Sequence, residues 1–142
     1  MKHCILPAIL IWISLSVQAQ ITFEKAYFID NEGRKVTCWI KNLDWKNNPK
    51  EFEYQLTEQG EVQKGDLNNV QAFEIEGGAK YVRFTVDIDY STEDVNKLTT
   101  NMQPVFERKE VFLKVLLEGK GSLYIYEEAT LKRFLSKETM QR

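Results

Sequence analysis

Histidine and cysteine are scarce in this chain of 142 residues, and their positions limit its chemistry. The single histidine is His3, and the two cysteines are Cys4 and Cys38. Once an N-terminal signal is removed, as argued below, no histidine and one cysteine remain. This inventory argues against the usual Ser-His-Asp or Cys-His nucleophile systems, a Cys/His zinc site and an intramolecular disulfide. Cys38 lies in an alternating segment, which predicts a small buried side chain rather than a reactive thiol.

Clustered positive charge is also lacking. The chain carries 19 Lys and Arg against 21 Asp and Glu, a formal net charge of −2. Nucleic-acid binding needs a concentrated set of Lys and Arg that displaces counterions from phosphates. The nearest grouping is Lys132, Arg133 and Lys137, and strand alternation places Arg133 on the opposite face from Lys132. The composition therefore predicts no nucleic-acid partner.

An apolar run from Ile5 to Val17 follows a short basic start in the N-terminal stretch MKHCILPAILIWISLSVQAQ. The run is shorter than the about 20 apolar residues that a membrane-spanning helix needs. Compact residues then occupy the positions that a signal peptidase reads. The sequence predicts a cleaved signal peptide, residues 1–19, with the cut between Ala19 and Gln20. We expect the mature chain to be exported, to the periplasm, the outer-membrane surface or the medium, and not to span a membrane.

Apolar and polar residues alternate with a period of two nearly throughout the mature chain, which is rich in β-branched and aromatic residues. This period is typical of antiparallel strands with one buried face. In the first segment Phe23, Tyr27 and Ile29 share one face, and in a later one Val82, Phe84, Val86 and Ile88 do so. The predicted strands are 21–29, 34–41, 50–56, the two arms of a hairpin within 71–89, 110–118, 122–128 and 131–136.

About eight strands at spacings near ten residues predict one mainly β domain over residues 20–142. We expect an antiparallel sheet curled into a sandwich or a partly open barrel, and the pattern does not decide between them. Residues 89–104 break the alternation, and Val95, Leu98 and Met102 recur there at helical spacing after a capping pair. At most one short helix is therefore expected, near 92–101.

The segment Gly119-Lys120-Gly121-Ser122 is similar to part of a nucleotide-phosphate loop. Such a loop needs G-x-x-x-x-G-K-[ST] with a helix behind it, so that backbone N–H groups surround the phosphates. Here Lys114 stands at the first glycine position, Gly121 stands at the hydroxyl position, and a strand follows. The sequence therefore predicts no bound nucleotide and no cofactor.

A hairpin turn explains the same residues. A three-residue loop centred on Lys120 sets Leu117 opposite Leu123 and Val115 opposite Ile125, so that apolar side chains meet on one face. Gly121 then occupies a position at which such loops favour a left-handed residue.

Two further groups of residues are candidates for binding. Asp87, Asp89, Ser91 and Glu93 present oxygens at alternate positions, as calcium ligands do, and the three acids are the candidates for calcium. An EF-hand loop would need glycine and glutamate further along, which this segment lacks, so an irregular calcium site or a solvated acidic loop remains. Trp39 and Trp45 flank a polar loop and are candidates for an aromatic surface that binds a sugar or peptide, with a core or rim role as the alternative.

The stretches ITFEKAYFIDNEGRKVTCWIKNLDWKNNPKEFEYQL and FLKVLLEGKGSLYIYEEATLKRF are similar to a family of uncharacterised exported proteins of Bacteroidota, of the flavobacterial type. The shared patterns are IDN.G, I.N.DW..NP..F.Y.L and FLKVL.EG...LY.Y....LKR, and the resemblance covers nearly all of residues 21–136. It implies an exported N-terminal β domain and transfers no catalytic residue, because none is assigned in the family. Some members carry an automatic label as a tRNA modification GTPase, which the missing phosphate loop does not support.

Members of this family are often longer and have a C-terminal region that resembles an outer-membrane β-barrel, whereas this chain ends at Arg142. Residues 20–142 are thus either a free-standing domain or the N-terminal part of a longer protein. The sequence favours a secreted or periplasmic, non-catalytic β domain of the cell envelope. Its partner would be an envelope protein or a glycan, and its oligomeric state is left open. The alternative is a carboxylate-dependent hydrolase acting on glycans, since acidic residues are plentiful although no pair is marked by the sequence.

Overall fold

A computed structural model describes residues 22–91 and 104–137, and all of its regular structure is antiparallel β-sheet. The mainly β fold predicted from the alternating pattern is confirmed. The predicted signal peptide, its predicted cleavage site at Ala19 and Gln20, and the short helix expected near 92–101 lie outside the described residues. The strands are β1 (Phe23–Asp30), β2 (Lys35–Lys41), β3 (Glu51–Gln55), β4 (Val62–Asp66), β5 (Val70–Ile75), β6 (Lys80–Asp89), β7 (Phe106–Leu117), β8 (Leu123–Glu128) and β9 (Leu131–Ser136).

Two meanders share this sheet, whose strand order is β4-β3-β2-β1-β5-β6-β7-β8-β9. From the centre of the sheet, β1 to β4 follow one another towards one edge, and β5 to β9 follow one another towards the other edge. The only ladder between the meanders, within the described part of the chain, is β1 with β5, where Tyr27 lies opposite Glu74. The order does not return on itself, so the sheet is open, with β4 and β9 at its ends.

The first meander must curl, because a very short turn connects its outer strand to β5. In a flat sheet β4 and β5 would lie about 19 Å apart, at about 4.8 Å per strand. Residues 67–69 alone connect them, and so short a stretch of chain spans about 14 Å at most. Arg83 on β6 also donates to the carbonyl oxygen of Leu67 at 2.5 Å. The curl encloses one face of the sheet.

The two meanders bury opposite faces of the sheet. Phe112 and Leu113 are adjacent on β7, so their side chains point to opposite sides, and both are fully buried. Phe112 belongs to a first core with Ala26, Phe28, Cys38, Ile40, Phe52, Val70, Phe73, Ile75 and Tyr81. Leu113 belongs to a second core with Val86, Ile88, Tyr124, Tyr126 and Leu135.

A polar contact closes one end of the second core. Arg133 on β9 donates from Nε to the carbonyl oxygen of Asp89 at 2.8 Å and from Nη2 to that of Ser91 at 3.0 Å. These carbonyls lie at and just beyond the end of β6, so β9 is drawn back towards β6. The second meander therefore curls around the face that the first meander leaves open.

Residues 42–50, between β2 and β3, form a strap that joins the two meanders. Trp45 packs edge-on against Phe73 and Tyr81 of the first core, with ring centroids 5.8 Å apart in each case. Asn48 then enters a gap between β7 and β8, beyond the last paired residues of that part of their ladder, Lys114 and Ile125. The strap thus covers the first core and reaches the second meander.

Asn48 continues the ladder that β7 and β8 interrupt. Its Nδ2 donates to the carbonyl oxygens of Phe112 at 2.6 Å and Ile125 at 3.0 Å. Its Oδ1 accepts from the N–H of Glu127 at 2.9 Å, and its own N–H donates to the carbonyl oxygen of Glu127 at 3.0 Å. A side-chain amide offers the same kinds of donor and acceptor as a peptide group. Asn48 therefore replaces the backbone pairing between β7 and β8 at this point.

Two details of the predicted strands are wrong. On β1 the buried residues are Ala26 and Phe28, whereas Phe23, Tyr27 and Ile29 lie on the opposite face, where Tyr27 has polar partners. Gly121 does not have the predicted left-handed conformation, which among the glycines of the described residues belongs to Gly33 and Gly77.

The predicted pairing of β7 with β8 is correct at the turn and shifts beyond it. Leu117 lies opposite Leu123 as expected, but a bulge at Leu116 sets Val115 opposite Tyr124. The turn is followed by a strand, as the sequence predicts. The extra residue of the bulge changes the register without changing the turn.

Candidate binding site

The structure separates the two tryptophans that were proposed as one aromatic surface. Trp45 lies in the strap and packs on the first core. Trp39 lies on β2 between Cys38 and Ile40, whose side chains are buried in that core, so its indole points to the opposite face. Trp39 is therefore left as the candidate, and Trp45 has a structural role.

Trp39 lines a cavity of about 460 Å³ on the open face of β1, β2 and β5. Lys25 lies directly opposite Trp39 in the β1–β2 ladder, and Thr37 lies opposite Tyr27. Side chains opposite one another in an antiparallel pair share a face. We call this cavity the Trp39 pocket; it is lined by Lys25, Tyr27, Lys35, Thr37, Trp39, Glu74 and Glu76 together with backbone at Ala26, Cys38 and Gly77.

A row of polar contacts crosses the sheet along one side of the pocket. The Lys35 ammonium lies 3.8 Å from the centre of the Tyr27 ring, and the Tyr27 hydroxyl donates to Glu74 at 2.5 Å. Lys80 Nζ lies 3.9 Å from the same Glu74 carboxylate and 2.7 Å from Glu118. We call these contacts the polar row, and they fix the side chains of four neighbouring strands relative to one another.

Two groups of the polar row, the Tyr27 hydroxyl and the Lys80 ammonium, keep their protons at neutral pH. The hydrogen bond to Glu74, helped by partial burial, raises the pKa of Tyr27, so its hydroxyl remains a donor. The hydrogen bond to Glu118 raises the pKa of Lys80, so its ammonium remains charged. The Tyr27 face is covered by Lys35, whereas Lys25, Thr37 and Glu76 are exposed. A ligand would therefore meet Trp39 as the aromatic surface and these exposed groups as its polar partners.

A second cavity, of about 420 Å³, lies beside the strap where β7 and β8 separate. Lys109 Nζ donates to the Tyr90 hydroxyl at 2.7 Å, and that hydroxyl donates to Glu128 at 2.7 Å. The Tyr126 hydroxyl is 3.4 Å from that of Tyr90. Burial is the main cause that raises the pKa of Tyr126, whereas the hydrogen bond from Tyr90 lowers the pKa of Glu128.

Glu128 in this second cavity does not fit the general acid of a glycosidase. A general acid needs a carboxyl group whose pKa is raised, and that of Glu128 is shifted the other way. The other acids of the cavity have cationic partners: Glu110 lies 3.3 Å from Arg83, and Glu127 lies 2.7 Å from Lys132. No observation here favours a hydrolase.

The calcium candidates Asp87 and Asp89 lie on one face of β6, and Glu93 lies outside the described residues. Asp89 accepts from the backbone N–H of Ser91 at 2.8 Å, and hydrogen bonding to Ser91 lowers the pKa of the carboxyl. Asp87 lies opposite Arg108 in the β6–β7 ladder. Within residues 22–91 and 104–137, no three His, Cys, Asp or Glu side chains come together as metal ligands.

Cys38 is buried in the first core, as predicted. Its exposed fraction is 1%, and burial raises the pKa of its thiol to about 12. A thiol of that pKa is a weak nucleophile at neutral pH. Cys38 therefore serves as a small core residue.

Sequence reasoning missed Asn48, whose side chain makes three hydrogen bonds to distant parts of the chain. The pair Asn47-Asn48 before Pro49 could have indicated such a role. Proline ends strand pairing, and asparagine side chains often replace backbone hydrogen bonds in loops. Asn47 likewise accepts from the N–H of Ala129 at 3.1 Å, where the backbone is left-handed with a φ of 53°. The partners of both residues were not readable from the sequence.

Comparisons of the chain with family models, with curated proteins and with solved structures find no match. In the part of the chain that the structure describes, no helix has the length and apolar character needed to cross a membrane.

Proposed function

We propose that this protein is an exported, non-catalytic β domain of the cell envelope that binds a partner through the Trp39 pocket. The pocket is the single observation that carries the proposal, since it combines a cavity, a half-buried aromatic side chain and a row of paired polar groups. Ligand sites are typically concave, with aromatic surface and a few placed polar groups.

Export is supported by the N-terminal stretch, whose apolar run and compact residues before Gln20 are typical of a cleaved signal. The resemblance to exported Bacteroidota proteins supports the same location, and within that resemblance the chain would be the soluble N-terminal part of an envelope protein. A lack of catalysis is supported by the absence of histidine after residue 3 and by the lowered pKa of Glu128 in the second cavity.

An envelope-binding assay tests the proposal. The purified mature chain is mixed with washed envelopes of the producing bacterium, and the bound fraction is measured after sedimentation. We expect saturable binding that Trp39→Ala reduces at least ten-fold. The matched control is Phe134→Ala, which removes an aromatic side chain that is 65% exposed on β9, far from the pocket in strand order.

Two results would count against the proposal. Equal sedimentation of the Trp39→Ala variant and the wild type would show that the pocket is not the binding surface. Mass spectrometry of the protein from a periplasmic fraction should give a chain that starts at Gln20, and a chain found only in the cytosol with Met1 attached would refute export.

A further inference from the structure

We infer that the Trp39 pocket takes a neutral sugar ring of a glycan, seated against the indole of Trp39. The inference rests on the proposed function and deepens it by naming the chemical class of the partner. It depends on where the pocket lies in the sheet, on the balance of its charges and on the kind of groups that it exposes.

The position of the pocket disfavours an extended peptide. Peptides that bind sheets add a strand at an edge and hydrogen-bond to its free backbone groups. Here β1 lies inside the sheet, with β2 on one side and β5 on the other. Its backbone is engaged in both ladders, as at Ala26, which lies opposite Cys38 and Ile75. An extended peptide therefore finds no free strand edge on β1.

The charges of the pocket favour a ligand without net charge. The lining contains two lysines, Lys25 and Lys35, and two glutamates, Glu74 and Glu76. A phosphate or a polyanion would be held close to the carboxylates, and a cationic ligand close to the ammonium groups. Like charges placed together cost binding free energy, so the balanced lining selects against both.

The groups that remain accessible are those that bind a polyhydroxylated ring. An indole has a flat apolar surface that complements the apolar C–H face of a sugar, and it loses little conformational entropy on binding. Thr37 accepts and donates through its hydroxyl, Lys25 donates, and Glu76 accepts. Hydroxyl groups around the edge of a sugar ring need this mixture of donors and acceptors next to an aromatic face.

The polar row prepares the pocket for such a ligand. Two contacts hold one side of the pocket in place before binding. The Lys35 ammonium packs on the Tyr27 ring, and the Tyr27 hydroxyl donates a hydrogen bond to Glu74. Side chains that are already fixed before binding lose less conformational entropy when the ligand binds. We therefore expect Tyr27→Phe, which keeps the ring and removes the hydroxyl contact to Glu74, to weaken sugar binding about three-fold, less than Trp39→Ala does.

The test is a titration with soluble oligosaccharides. Trimers of N-acetylglucosamine, glucose and mannose are added to the mature chain, and binding is followed by calorimetry and by NMR shifts of the indole N–H groups. We expect at least one trimer to bind saturably, with Trp39→Ala weakening its affinity at least ten-fold and Phe134→Ala leaving it unchanged. If no trimer binds, or if Trp39→Ala does not alter the affinity, the sugar assignment is wrong.

The envelope assay separates this inference from the proposed function. Sedimentation that depends on Trp39 and survives protease treatment of the envelopes, but is lost when excess trimer competes, supports the sugar. Sedimentation that depends on Trp39 and is abolished by protease would refute the sugar while leaving the binding function intact. Sedimentation that does not depend on Trp39 would refute both.

Discussion

At the scale of single residues, Asn48 connects the strap to β7 and β8. Replacing it with alanine leaves the carbonyl oxygens of Phe112 and Ile125 and the N–H of Glu127 without their side-chain partner. Each buried polar group left without a partner costs about 1–3 kcal/mol, less where water can enter. We expect Asn48→Ala to lower the free energy of unfolding by about 2–4 kcal/mol, measured by urea denaturation.

Asn47→Ala is the matched control for that change. Asn47 contributes one hydrogen bond, to the exposed N–H of Ala129, so its loss should cost about 1 kcal/mol or less. Equal losses for the two variants would show that the bridge between β7 and β8 is not what stabilises the strap.

A second prediction at this scale concerns Cys38. With a pKa of about 12, only about one thiol in ten thousand is ionised at pH 8. We expect a thiol reagent such as iodoacetamide to modify Cys38 only when the chain opens, so that labelling rises sharply in denaturant. Rapid labelling of the folded protein at pH 8 would contradict the burial of this side chain.

At the scale of strands, the pairing of β3 with β4 depends on Gly65. Phe52 lies opposite Gly65 in the ladder, and a Cβ atom at position 65 would overlap the Phe52 ring. Since Phe52 is 2% exposed in the first core, the ring has little room to move. We expect Gly65→Ala to destabilise the protein by about 1–3 kcal/mol, as overpacking of a core does.

Gly119→Ala provides the comparison in thermal or urea unfolding. No atom lies within 4 Å of a Cβ placed at Gly119, and its backbone is not left-handed. The change should therefore alter the free energy of unfolding by about 0.5 kcal/mol at most. A larger effect at position 119 than at position 65 would contradict this account of β4.

The strands also show what the sequence could and could not predict. Alternation correctly placed Val82, Phe84, Val86 and Ile88 on one face, because residues 82–89 of β6 carry apolar side chains on that face alone. The prediction of the buried face failed on β1, because apolar residues occur on both faces of this strand. Which face is buried there depends on the side that the curled sheet encloses. The β7–β8 turn was predictable from local residues, but the bulge at Leu116 was not.

The candidate site was predictable only in part for a similar reason. Trp39 could be placed on a strand beside a loop, so it was found. Its surroundings depend on the β1–β5 ladder, which sets Tyr27 against a residue 47 positions away. Local patterns carry no information on that register, and they do not reveal that Trp45 packs on the other face.

At the scale of the whole molecule, stability should fall in acid and be level around neutral pH. Among the described residues, hydrogen bonds or ion pairs lower the pKa of the carboxyl groups of Asp30, Glu53, Asp89 and Glu128. A carboxyl whose pKa is lower in the folded state stabilises the fold above its unfolded pKa, near 4, and this contribution is lost as the pH falls further. No histidine occurs in residues 22–142.

We therefore expect the urea midpoint to be constant from about pH 6 to 7.5 and to decline below about pH 4.5. Above about pH 8 it should decline again, because the thiol of Cys38 ionises there in the unfolded chain but not in the folded one. Glu53→Gln removes the contact with Lys41 at 2.7 Å and should make the acid decline shallower. A change in the midpoint between pH 6 and 7.5 would reveal a titrating group that the described residues do not contain.

The strap also sets an order of assembly. While the chain is being made, residues 23–66 can pair among themselves, because each ladder of the first meander joins strands that are neighbours in sequence. The side-chain hydrogen bonds of Asn48 form later, since its partners lie 64, 77 and 79 positions further along the chain. Chains fold domain by domain as they emerge, and late contacts leave early ones unprotected. Until β8 has been synthesised, the strap that covers the aromatic core of the first meander lacks the hydrogen bonds of Asn48. A chain truncated before Glu127 would therefore expose this core and be prone to aggregation.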